Sequence, residues 1–142
     1  MPRGVMFVLF AAVAGGAWSV LFNRASPQIS PLLAPVIAES TAVLIGLALI
    51  ATQLRGATME YSTRGITLLL CAGVCVFFVD YFNIRAYGAQ LPVSVGAPIF
   101  LGGAIAIATT AGFLLGEQIN VKKLVGVGLV LAGVLLLGSM SE

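Results

Sequence analysis

Two carboxylates stand where carboxylates are expensive. Glu39 and Asp80 lie well inside long apolar stretches of a 142-residue chain whose other charged residues fall in connectors, at termini or near the ends of apolar runs. An acid at the centre of a membrane-spanning helix costs about 2.5 to 3.5 kcal/mol on insertion scales, so such groups usually face a water-filled cavity or a polar partner. A carboxyl group in a partly desolvated cavity can alternate between a proton and a solute group near neutral pH. That is the chemistry of coupled transport. Metal or disulfide chemistry is not expected, because the chain has no histidine and Cys71 and Cys75 lie four apart in an apolar segment. No activated nucleophile is visible, so neither a cofactor nor an enzymatic activity is expected.

The composition sets the elements that must hold these acids. At 60% hydrophobic and 8% charged residues, the chain departs from soluble domains, where about a quarter of positions carry charge. Its mean hydropathy of +1.11 excludes disorder as well. At about 20 apolar residues per span, the length accommodates five. Charged residues delimit them as Val5 to Phe22, Pro31 to Leu54, Ile66 to Tyr87, Val93 to Leu115 and Val121 to Gly138. These runs are far longer than barrel strands, so the expected fold is all-α: a polytopic membrane protein of five transmembrane helices in one domain over residues 1–142. Short connectors predict that successive helices are antiparallel neighbours and that the N- and C-termini lie on opposite sides. The first run reads as a span, not a signal peptide, and Ser30 before Pro31 reads as the N-cap of the second.

The distribution of basic residues sets an orientation. Arg3, Arg55, Arg64, Lys122 and Lys123 collect on the N-terminal face and Arg24 and Arg85 on the other, which favours a cytoplasmic N-terminus in the plasma (bacterial inner) membrane. A net charge of +2 from scattered residues makes no basic stripe, so no nucleic-acid partner is expected.

Helical rise places the two acids at a common level. With span midpoints near Ala42 and Val76, Glu39 and Asp80 each fall roughly 5 to 6 Å from the midplane toward the C-terminal face, and Trp18 roughly 7 Å from its own midpoint on that side. Along span two, Pro35, Glu39, Ala42 and Gly46 share a stripe of small residues; along span three, Gly73, Asp80, Asn83 and Tyr87 form a polar ladder. Pro35 and Pro98 free the carbonyls of Pro31 and Ser94. The expected solute- and proton-binding set is therefore Glu39, Asp80, Trp18, Asn83 and Tyr87. A purely structural alternative pairs Arg85 with Asp80 or Glu39 and uses Trp18 and Tyr87 as interfacial anchors.

Seventeen glycines supply close helix approach, with small-xxx-small spacing in Gly112 with Gly116, Gly102 with Ala106, and Gly128 with Ala132. On the uncharged last span, Gly126, Gly128, Ala132 and Gly133 make a smooth face that suits a neighbour, either within the bundle or in a second subunit.

The stretch "VDYFNIRAYGAQLPVSVGAPIF", the helix end "FLLGEQIN" and the closing "KKLVGVGLVLAGVLLLG" give the chain its resemblance to one half of a drug/metabolite transporter of the EamA type. Such proteins commonly carry two five-helix repeats in inverted orientation with the substrate path between them, so a single repeat implies a partner, either a second copy or a small paralogue. The related small multidrug resistance proteins resemble this arrangement in working as dimers with a membrane-embedded glutamate, although Glu39 stands on span two, not span one. The expected function is secondary transport, as an exporter, of a small organic metabolite or drug, coupled to protons or another ion. The alternative is a non-transporting membrane subunit that docks a partner through its glycine faces and buries both acids in salt bridges.

Overall fold

The computed structural model describes residues 3–53, 61–118 and 120–139. These form five helices: α1 (Arg3–Ala25), α2 (Leu33–Gln53), α3 (Thr63–Gly88), α4 (Val93–Leu114) and α5 (Val121–Ser139). At a rise of about 1.5 Å per residue, helices of 19 to 26 residues reach across a hydrocarbon core of about 30 Å. All five are long and apolar enough to do so, and the described residues contain no strand. Large apolar side chains such as Phe7, Phe10, Leu44, Leu69 and Leu135 stand exposed around the bundle. That surface belongs in lipid, where the helices satisfy their own backbone groups. The protein is an integral membrane protein.

Local chemistry explains the helix ends. Ser62 Oγ accepts the Gly65 N–H at 3.0 Å, so α3 starts three residues before the apolar run. The Ser30 carbonyl accepts from Leu33 and Ala34, and a turn at Pro31–Leu32 delays α2. Asn120 Oδ1 accepts the Lys122 N–H at 2.9 Å at the start of α5. The end of α4 is a Schellman motif: Glu117 N–H bonds Gly112 O, Gly116 N–H bonds Phe113 O, and Gly116 takes φ +92°. Leu54, the expected end of span two, and Arg55 lie outside the described residues.

α3 sits at the centre, packed against α1, α2 and α4, while α5 packs on α4 alone. Among the described residues α1 and α2 do not pack along each other, although they are consecutive; α1 lies against α3 and α4 instead. This corrects the expectation that every successive pair are neighbours. The physical reason is reach: residues 26–32 can extend about 20 Å, twice the 8–10 Å spacing of packed helices, so the connector can pass α3.

Packing is uneven along the bundle. The distal end, opposite the N-terminus, holds Phe22, Ala34, Ile84 and Tyr87, the buried apolar core, with Ser19, Pro35, Asp80, Asn83 and Gly96 also buried. Asn23 Nδ2 donates to Leu91 O at 3.4 Å and ties the end of α1 to the α3–α4 turn. No described residue of α1 before Ser19, of α2 after Pro35 or of α3 before Asp80 is buried. The helices therefore converge at the distal end.

Small residues do three different jobs here. Gly102 on α4 lies against Val134 and Val130 and lets α5 approach closely. Gly112 makes room for the Glu117 side chain, and Gly116 makes the turn. Gly126, Gly128, Ala132 and Gly133 are exposed, and a Cβ at any of these three glycines would meet nothing within 4 Å. On the helix Gly126 and Gly133 fall on one side of α5 and Gly128 and Ala132 on nearly the opposite side, so the expected single smooth face is two small-residue patches, neither met by a neighbour at its glycines in the described chain.

Candidate functional site: a cavity shared by four helices

Trp18 from α1, Glu39 from α2, Asp80 from α3 and Phe100 from α4 line one cavity of about 350 Å³. Their convergence follows from the distal packing: each residue lies where its helix enters the converged end. Asp80 is 3% exposed and Glu39 is half-buried. Among the described residues neither carboxylate has an ion-pair partner or a hydrogen bond to another side chain; the ion pair present joins Lys123 to Glu117 at 3.1 Å, at the opposite end. The two acids line the same space. Like charges in a low-dielectric space repel, and a proton or cation placed between them relieves the repulsion.

Arg85 does not neutralise them. Its guanidinium lies 5.7 Å over the Tyr81 ring, donates to Tyr81 Oη at 3.2 Å and is exposed. Pairing with Asp80 or Glu39, the alternative that the spacing of five residues left open, is therefore not the arrangement adopted. The helical turn directs position 85 away from the face that carries Asp80, Asn83 and Tyr87. Arg85→Ala is accordingly expected to cost under about 1 kcal/mol of thermal stability, the scale of an exposed cation–π contact. Loss of a buried ion-pair partner would instead cost about 3 to 5 kcal/mol, and unfolding in mild detergent separates the two.

The polar groups around the cavity spend donors on their own helices. Ser19 Oγ donates to Gly15 O at 3.1 Å and Asn83 Nδ2 to Val79 O at 2.9 Å. The polar groups left in the lining are the two carboxylates, set among Ala38, Ala42, Val76 and Val79. Aromatic faces complete the wall, with Trp18 4.7 Å from Phe22 and 5.9 Å from Phe100 between ring centroids. Such a lining suits a solute that carries positive charge or many hydrogen-bond donors.

Of the five expected site residues, Trp18, Glu39 and Asp80 share this cavity. Asn83 and Tyr87 line an adjoining space of about 230 Å³ toward the distal end, with Gly96 and again Phe100. Glu39 also opens onto a groove of about 510 Å³ between α2 and α3, beside Pro35, Val43 and Phe77. Sequence patterns left out Phe100, Ser19, Phe22 and Gly96. Two signals were available: Trp18 with Phe22 and Gly96 with Phe100 each stand four apart, on one helix face.

The model of the EamA-like transporter family matches residues 2–139. The chain belongs to this family. Multidrug resistance protein EbrB of Bacillus licheniformis is 32% identical over 95 residues, covering 65% of this chain and 80% of EbrB. No solved structure gives a significant match. As an EamA-like protein with five helices fit to span the bilayer, the chain is a membrane transporter, and its cavity lies in the part of the fold where the four central helices meet.

Proposed function

We propose that this EamA-like protein is a secondary transporter that exports a small organic metabolite or drug, coupled to protons or another ion, and that it works as a half-unit of a dimer. One observation carries the reading: Glu39 and Asp80 face a common cavity at membrane depth with no basic partner among the described residues. An acid desolvated without neutralisation is retained where its charge is used, and intramembrane acids mark solute and proton paths. Glu39, open to two spaces, alternately holds a proton and a solute group; Asp80, Asn83, Tyr87 and Trp18 shape the cavity. Two carboxylates set in an apolar and aromatic lining favour organic cations, and the likeness to a protein named for multidrug resistance agrees with a drug-like solute.

The open glycines of α5 suit a second copy or a small paralogue, and the basic-residue bias favours a cytoplasmic N-terminus. The same glycines would serve a non-transporting docking subunit, but that reading needs both acids in salt bridges. The expected result is that purified protein is thermally stabilised by organic cations from a metabolite and drug panel, because a ligand bound to the folded state raises its stability. Proteoliposomes should move the stabilising compounds faster with an imposed pH gradient than without. Absence of both stabilisation and flux across the panel would favour the docking subunit.

A further inference from the structure

We propose that Tyr87, seated in a slot that Gly96 leaves on α4, is the distal gate of the solute path, and that the conformation described here is closed at that end. The inference rests on the transport reading and deepens it by assigning a residue to closure. Tyr87 is 3% exposed and lies in the core with Phe22, Ala34 and Ile84, between the cavity of the two acids and the α3–α4 turn. Asp80 stands seven residues earlier on the same helix, about 10 Å deeper. A Cβ at position 96 would lie 2.8 Å from Tyr87 Cε1 and 3.0 Å from Leu91 Cδ2, so the ring can fill this place only because residue 96 is glycine.

The plug is held chiefly by packing. Tyr87 Oη is buried and makes no hydrogen bond of good geometry; the Ser19 hydroxyl beside it donates to Gly15 O, so the contact between the two side chains is weak. A buried hydroxyl left unbonded is costly, and that cost is relieved when the ring swings toward water or a solute donor. A contact tight in its apolar part and only weakly met in its polar part can open at little cost in hydrogen bonding. Tyr87 Oη then becomes the first protein atom offered to a solute moving between the cavity and the distal surface.

The test measures access and needs no identified solute. In a Cys71→Ser, Cys75→Ser background, Ala38→Cys beside Glu39 reports on the cavity, and a membrane-impermeant maleimide is applied from the distal side of membrane vesicles. A Gln90→Cys control in the exposed α3–α4 turn identifies the vesicles that present that side. Gly96→Ala, which displaces the ring, is expected to raise the labelling rate about tenfold, the scale of a modest overpacking penalty, and Tyr87→Ala, which removes the ring, at least as much. Tyr87→Ala keeps the test decisive should Gly96→Ala fail to fold. Labelling that is equally fast without either substitution, or unchanged by both, overturns the gate even where Glu39-dependent flux is found. The expected labelling without any solute flux supports closure by Tyr87 and removes the transport reading instead.

Discussion

Glu39→Gln is expected to reduce pH-gradient-driven solute flux in proteoliposomes by about 10- to 100-fold while the protein still folds and inserts. The magnitude is that of one charge-assisted contact, ~1.5 to 3 kcal/mol, expressed as a ratio. Glutamine keeps the shape and hydrogen-bonding capacity of the protonated acid but cannot release the proton or carry charge. Flux should lose its dependence on pH together with its rate. Stability should change little or rise, because the substitution removes a half-buried charge that has no basic partner among the described residues. Asp80→Asn provides a comparison within the same cavity, which both acids line. Unaltered flux and pH dependence in Glu39→Gln would end the exchange mechanism. A marked loss of stability with no effect on transport would place the residue in a purely structural role.

Gly102→Val should have the largest effect on stability. The seam between α4 and α5 is built on a glycine pressed against Val134 and Val130, and any Cβ at position 102 collides with Val134 Cγ2. α5 packs on no other helix among the described residues, so it has no second surface to fall back on. Overpacking of this kind costs about 1 to 3 kcal/mol, and the added valine methyls place Gly102→Val toward the upper end. Val134→Ala in the same chain should restore part of the loss, because it removes the atoms that collide. A double-mutant cycle in detergent unfolding measures this coupling directly. Additive effects would show that the seam does not depend on this contact.

Much of the protein can be read from residue order because lipid is a demanding solvent. Within hydrocarbon each span must satisfy its own backbone, so an apolar run of about twenty residues has one stable conformation, and its limits are set by charge. The five helices and the rarity of their two embedded acids follow from this alone. The placement of Glu39, Asp80 and Trp18 at one level also follows, since helical rise is invariant and the connectors are short. That they line a single open pocket is a property of the packed chain.

The contributions of Phe100 and Gly96 were not legible in the same way. A phenylalanine among apolar residues carries no mark that distinguishes a cavity wall from a lipid-facing surface, and the proline at 98 was the more conspicuous feature of that helix. Gly102, Gly112 and Gly126 likewise look alike in a chain with seventeen glycines, yet one meets α5, one meets a glutamate and one meets open space. Small residues permit an approach; they do not say which neighbour makes it. The position of Arg85 was decided by the same kind of choice, between an acid five residues away and a tyrosine on the adjacent turn.

Residue order alone determined the number, length and helical character of the spans and the depth of the charges within them, because these depend on interactions between each segment and its solvent. Which helices touch, which of several glycines receives a neighbour, where the bundle closes and whether the acids are paired were decided only in the tertiary structure. Those outcomes depend on the rotation of each helix about its axis, and in lipid that rotation is set by contacts between distant segments, since hydrocarbon does not prefer one apolar face over another.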